Sequence, residues 1–166
     1  LVFEMRYPTK DFPGLLETLI KQEINGLETM TLRIFISNTE YFSNNFLSVQ
    51  ISKFLKGNYT CTIPTQAIIE PNVTSIAEEA FPNTPITQVM IPFSVTVIKA
   101  YAFYQCYSLK QIVIPNTVTS IGKKSFYKCK SLIQIAIPPS VKVIEEGTFS
   151  ECTSLKQILI PNSVVK

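Results

Sequence analysis

Four prolines, Pro92, Pro115, Pro138 and Pro161, stand 23 residues apart each time. Phe103, Phe126 and Phe149 keep the same interval of 23, as do Cys106, Cys129 and Cys152. Phe81 precedes Phe103 by 22, a deletion of one residue. Self-similarity at a fixed short period marks a repeat architecture. A unit of this size cannot enclose a core of its own, so units must stack and bury a shared one.

The chemistry of one unit is legible. It runs Leu109, Ile112, Ile114, Pro115, Val118, Ile121, Ser125, Phe126, Cys129, Ser131, and the next runs Leu132, Ile135, Ile137, Pro138, Val141, Ile144, Thr148, Phe149, Cys152, Ser154. Ile112 and Ile114 alternate with Gln111 and Val113, the period of a strand. Pro115 cannot donate to a ladder and ends it. Val118 and Ile121 form a second, short apolar pair. Lys123 to Lys130 reads as one helical or 3₁₀ turn. Stacking such units predicts parallel strands about 4.8 Å apart.

The frame L-x-x-I-x-I-P resembles the leucine-rich-repeat frame. Its continuation over residues 118–132, V-T-S-I-G-x-x-S-F-x-x-C-x-S-L, resembles the BspA-like (treponemal) class of that superfamily. The resemblance covers residues 66–166. It implies an α/β solenoid: a right-handed β-solenoid with a parallel sheet on the concave side and short convex strands and turns. It also implies a non-enzymatic interaction protein. Relatives in bacteria and parasitic protists are commonly surface proteins that bind host or matrix proteins, and some intracellular leucine-rich-repeat proteins regulate phosphatases.

Residues 1–65 depart from the frame. Pro13 to Ile24 reads as a helix with Leu15, Leu16, Leu19, Ile20 and Ile24 on one face, ended by Asn25-Gly26. A second helix is predicted over Tyr41 to Lys56. Leu27, Met30 and Leu32 keep the strand spacing of a degenerate repeat, and Cys61, Ile63 and Pro64 match Ile112, Ile114 and Pro115. The favoured organisation is one solenoid of about six strands, with 1–65 as an N-terminal helical cap. The alternative is a separate helical domain, with an insertion or linker from Pro64 to Pro71. At the other end, Asn162 to Lys166 opens a new unit with no polar cap. Truncation and end-to-end association are both expectations there.

Composition excludes several chemistries. There is no histidine, so a Ser-His-Asp triad, a Cys-His pair and any histidine-containing zinc site cannot be built within the chain. Apolar residues at 46% and charged residues at 16% do not suit a disordered chain. A net charge of +3 is far from the signature of a nucleic-acid binder. Glu78-Glu79 and Glu145-Glu146 fall at nearly the same place in two repeats and read as surface decoration rather than catalytic carboxylates. The in-phase cysteines lack the close pairs that metal sites use. They read as a buried thiol ladder, with Cys61 buried as well, and no cofactor is expected.

The candidate binding residues are two columns on the concave strands: Gln88, Gln111, Gln134 and Gln157, beside Met90, Val113, Ala136 and Leu159. An apolar stripe flanked by amides suits protein recognition. The competing reading is a glutamine ladder that only stabilises the sheet. A second candidate is the basic cluster Lys123, Lys124, Lys128 and Lys130, interleaved with Phe126 and Tyr127, which could meet RNA or an acidic membrane, or be a solvated edge. The sequons Asn58-Tyr59-Thr60 and Asn72-Val73-Thr74 matter only in a secreted chain. The expected partner is therefore another protein. One version is a cytosolic scaffold or phosphatase regulatory subunit, favoured by reduced thiols and the lack of a signal-like segment. The other is a cell-surface adhesin, favoured by the resemblance.

Overall fold

The computed structural model describes residues 2–7, 31–36, 65–84 and 86–165. In chain order the strands are β1 (Val2–Tyr7), β2 (Thr31–Ile36), β3 (Thr65–Ile69), β4 (Ser75–Ile76), β5 (Gln88–Met90), β6 (Val97–Ile98), β7 (Gln111–Val113), β8 (Ser120–Ile121), β9 (Gln134–Ala136) and β10 (Gln157–Leu159). Every pairing among them is parallel. A long sheet runs β1-β2-β3-β5-β7, and β9 and β10 pair with each other. Ile133 N–H donates to the Lys110 carbonyl at 3.5 Å, linking β9 back to the turn before it. A short sheet runs β4-β6-β8, and Ile121 bridges on to Ile144.

Alternation along the strands turns an inward row, in which Ile112 pairs with Val89 and Val89 with Ala67, all three buried. From the short sheet, Ile76, Ile98 and Ile121 meet this row across one core. Between the sheets Phe81, Phe103, Phe126 and Phe149 stack ring on ring, with centroids 5.1, 5.2 and 5.6 Å apart. Such offset pairs add about 0.5–1.5 kcal/mol each beyond the area they bury.

Polar columns close the stack. Cys106, Cys129 and Cys152 each donate Sγ–H to the carbonyl one turn back, of Phe81, Phe103 and Phe126, at 2.9, 3.3 and 3.0 Å. Thr84 holds the same column in the turn before, where its hydroxyl bonds Phe81 O at 3.0 Å. Ser94, Thr117 and Ser163 donate to Val73, Val95 and Val141 carbonyls at 2.7, 2.8 and 3.3 Å, and Ser140 does so to Val118. Buried carbonyls at the turns are thereby satisfied across turns, as burial requires.

Several expectations need correction. Seven strands, rather than about six, lie on the long-sheet side among the described residues. Of the two readings of Lys123 to Lys130, an α-helical turn is not found: the segment is a chain of i→i−3 turns of the 3₁₀ hydrogen-bond type (Ser125 to Gly122, Tyr127 to Lys124, Cys129 to Phe126), interrupted by left-handed residues at Lys124 and Lys128. Left-handed backbone breaks a right-handed helix at each such residue. The columns of Ile112 and Ile114 pass through Ala67 and Ile69 in β3, not through Cys61 and Ile63, and through Ile34 in β2, not Met30. Thr65 to Ile69 is accordingly a strand and not part of a linker. The cause is that no proline stands in phase after β3: Glu70 occupies that place and donates its N–H to Ile36 O at 2.8 Å. The two helices expected over 13–24 and 41–56, and Cys61, lie outside the described residues.

Candidate protein-binding surface

The outward residues of the long-sheet strands form two adjoining columns. In the first, Gln66 Nε2 donates to Gln88 Oε1 at 2.8 Å, and Gln88 Nε2 donates to Gln111 Oε1 at 3.2 Å. Gln134 and Gln157 continue it and are exposed. Part of the column is thus a ladder whose amides satisfy one another. Gln66 is a member that counting in steps of 23 misses, because its interval to Gln88 is 22. The same deletion separates Phe81 from Phe103 and was the signal that could have found it.

The second column is apolar and open. Ile68 pairs with Met90, and Met90 with Val113, while Ala136 pairs with Leu159. Met90, Val113 and Leu159 are 59%, 77% and 56% exposed. Open grooves flank this column at the strand ends. One is lined by Ile68, Pro71, Met90 and Pro92, the other by Ala136, Pro138, Leu159 and Pro161. Phe93, 77% exposed just past Pro92, adds a large apolar side chain that no sequence period singled out.

The basic cluster lies on the turn segment after β8. Lys123 pairs with Glu146 at 2.9 Å and Lys128 with Glu151 at 3.5 Å. The hydrogen bond from Lys123 holds the Glu146 carboxyl below its ordinary range and raises Lys123 in turn. The Tyr127 hydroxyl bonds Glu151, which raises the phenol and lowers that carboxyl. Glu78, Glu79 and Glu145 are exposed on turns.

Cys106, Cys129 and Cys152 are free thiols, the first two buried. Burial pushes the Cys106 thiol up to about 12. A contact between Cys129 and Cys152, with burial, raises Cys129, while the same contact lowers Cys152. Among the described residues no group of three or more Cys, Asp or Glu side chains is placed to hold a metal ion. No described helix is long and apolar enough to cross a membrane.

Comparison with known proteins agrees with this geometry. A family model described as the BspA type leucine rich repeat region matches six copies, over residues 22–107 and 74–166. The T. pallidum leucine-rich repeat protein is similar in structure, with TM-score 0.58 and 23% identity over 81% of this chain and 57% of that one. A leucine-rich cell surface protein from Faecalibacterium prausnitzii is 29% identical over 57% of this chain and 31% of its own, with TM-score 0.48. A leucine-rich repeat protein from Bacteroides ovatus is 27% identical over 61% of this chain and 32% of its own, with TM-score 0.46. The chain therefore spans little more than half of the T. pallidum protein and about a third of the other two. A search of curated proteins finds no match.

Proposed function

The chain belongs to the BspA-type leucine-rich-repeat family, and from that premise we propose that it is a non-enzymatic module that binds a protein on the face of its long sheet. The observation that carries this is the open column Met90, Val113, Ala136 and Leu159, exposed beside the glutamines. Soluble surfaces seldom keep a continuous apolar strip without a use for it. The ladder fixes the amides of Gln66, Gln88 and Gln111, so apolar contact supplies the affinity and the exposed amides of Gln134 and Gln157 supply alignment. Three free thiols, two of them buried, favour a reducing compartment, and with it a cytosolic scaffold or regulatory subunit, such as that of a protein phosphatase, over a surface adhesin.

The test is affinity purification from the cells that make the protein, comparing wild type with the folded triple variant Gln111→Ala, Val113→Asp, Gln134→Ala. Loss of a specific protein from the variant's eluate supports the face. Equal capture by both rejects it. Labelling intact cells with an impermeant amine reagent separates the scaffold from the adhesin: a labelled protein would exclude the cytosolic reading.

A further inference from the structure

A second surface stands apart from the long sheet. Between Ala80 and Ile144 the chain carries seven lysines and neither aspartate nor glutamate. The nearest acids on the following turn, Glu146 and Glu151, are taken up by Lys123 and Lys128. Lys124 and Lys130 form no ion pair among the described residues. Their ammonium groups lie instead over aromatic rings, Lys124 Nζ 5.7 Å from the centroid of Tyr127 and Lys130 Nζ 5.4 Å from that of Tyr107. The Tyr127 ring is itself held, stacked on Tyr104 at 5.2 Å and 10°, while Tyr107 is exposed.

We propose that the face formed by Tyr104, Tyr107, Tyr127, Lys124 and Lys130 docks an acidic polypeptide segment rich in aspartate and glutamate. Tyrosines offer large contact area at small cost in side-chain freedom, which is why they are enriched at protein interfaces. A lysine held over a ring loses less freedom when it meets a carboxylate than one moving freely in water. The acids beside this face, Glu146 and Glu151, are each paired with a lysine, which offsets the repulsion they would exert on such a partner. Single-stranded nucleic acid fits less well. It needs open ring faces for its bases, and Tyr104 and Tyr127 already cover each other. Two unpaired lysines also fall short of the clusters of about 4–8 that hold a protein to an anionic membrane.

The full chain is titrated into a fluorescein-labelled poly-glutamate peptide, with binding read by fluorescence anisotropy. We expect binding that weakens as salt rises, and about tenfold weaker binding for Lys124→Gln/Lys130→Gln. Tyr107→Ala weakens it too, whereas Val113→Asp on the long sheet leaves it unchanged, so this face can fail without the long-sheet reading failing. No binding, or equal binding by the wild type and the double lysine variant, overturns the proposal. So does tighter binding to single-stranded RNA or to phosphatidylserine vesicles than to the peptide. Both lysines project from exposed or half-buried turn positions, so their replacement leaves the core intact, and a circular-dichroism melt checks this.

Discussion

The phenyl rings of Phe103 and Phe126, one turn of the solenoid apart, lie 5.2 Å between centroids and within 10° of parallel. Phe126 is fully buried, with Phe103 on one face and Phe149 on the other. Phe126→Ala therefore empties a site lined by two rings, and should cost about 3–5 kcal/mol. Phe149 is only half-buried, so Phe149→Ala should cost about 1–2 kcal/mol. Urea unfolding followed by circular dichroism measures both. Equal costs would mean that the stack is not the spine of the core.

The thiol column predicts a dependence on alkaline pH. Cys106 has its ordinary value near 9.0 when unfolded and is raised to about 12 by burial when folded. A raised value means that its contribution is complete below pH 9 and is lost as pH rises toward 12. In that window the unfolded chain has released a proton that the folded chain retains, so stability falls by about 1.4 kcal/mol per pH unit. Cys106→Ala removes this slope while costing stability at neutral pH. Wild type and variant should converge as melting is measured from about pH 8 to about pH 10.5. Parallel curves would show that the thiol titrates normally.

Two left-handed positions recur in four successive turns among the described residues: Glu79, Tyr101, Lys124 and Gly147 in one column, Asn83, Gln105, Lys128 and Glu151 in the other. Of these, Gly147, at φ 69°, and Asn83, at φ 57°, have residues suited to such backbone. Gly147→Ala should cost about 1 kcal/mol through its backbone, since an added Cβ would meet only the flexible Lys124 side chain, at 3.0 Å. Gly122→Ala should cost more, about 2–3 kcal/mol, because its Cβ would stand 2.5 Å from the backbone nitrogen of Ala100. In the other direction, Gln105→Gly should gain about 0.5–1 kcal/mol. Thermal melting of the three variants checks the order.

The parts of the fold visible in the sequence are those that repeat in phase. Ile112, Pro115, Phe126 and Cys129 recur at 23, and each takes the place its column predicts, in strand, strand end, ring stack and thiol ladder. The earlier turns were less legible because each departs from that period. Between Gln66 and Gln88 one residue is missing, and Pro64, which looks like the end of a strand, stands before β3. Proline misleads there because it is tolerated at either end of a strand. The lysine–tyrosine face was legible as a cluster, but its pairing was not, for another reason. Lys130 meets Tyr107, and Lys128 meets Glu151, only across stacked turns. Which of the four lysines would be neutralised depended on acids 23 residues away in the chain and one turn away in space.

Stacked turns also allow a test in which neighbouring residues of one column respond with opposite sign. Ala102, Ser125 and Thr148 occupy successive turns of a buried column. The Thr148 hydroxyl donates to Glu145 O at 2.7 Å, whereas Ser125 Oγ is buried with no hydrogen-bond partner among the described residues. An unpaired buried hydroxyl carries its desolvation cost with nothing to offset it, and a paired one does not. Ser125→Ala should therefore stabilise the chain by about 1 kcal/mol, making its turn resemble that of Ala102. Thr148→Ala should destabilise it by about 1–2 kcal/mol, through the lost bond and the lost methyl group. Urea midpoints for the two variants decide the matter, and a Ser125→Ala protein less stable than wild type would show that the hydroxyl is satisfied after all.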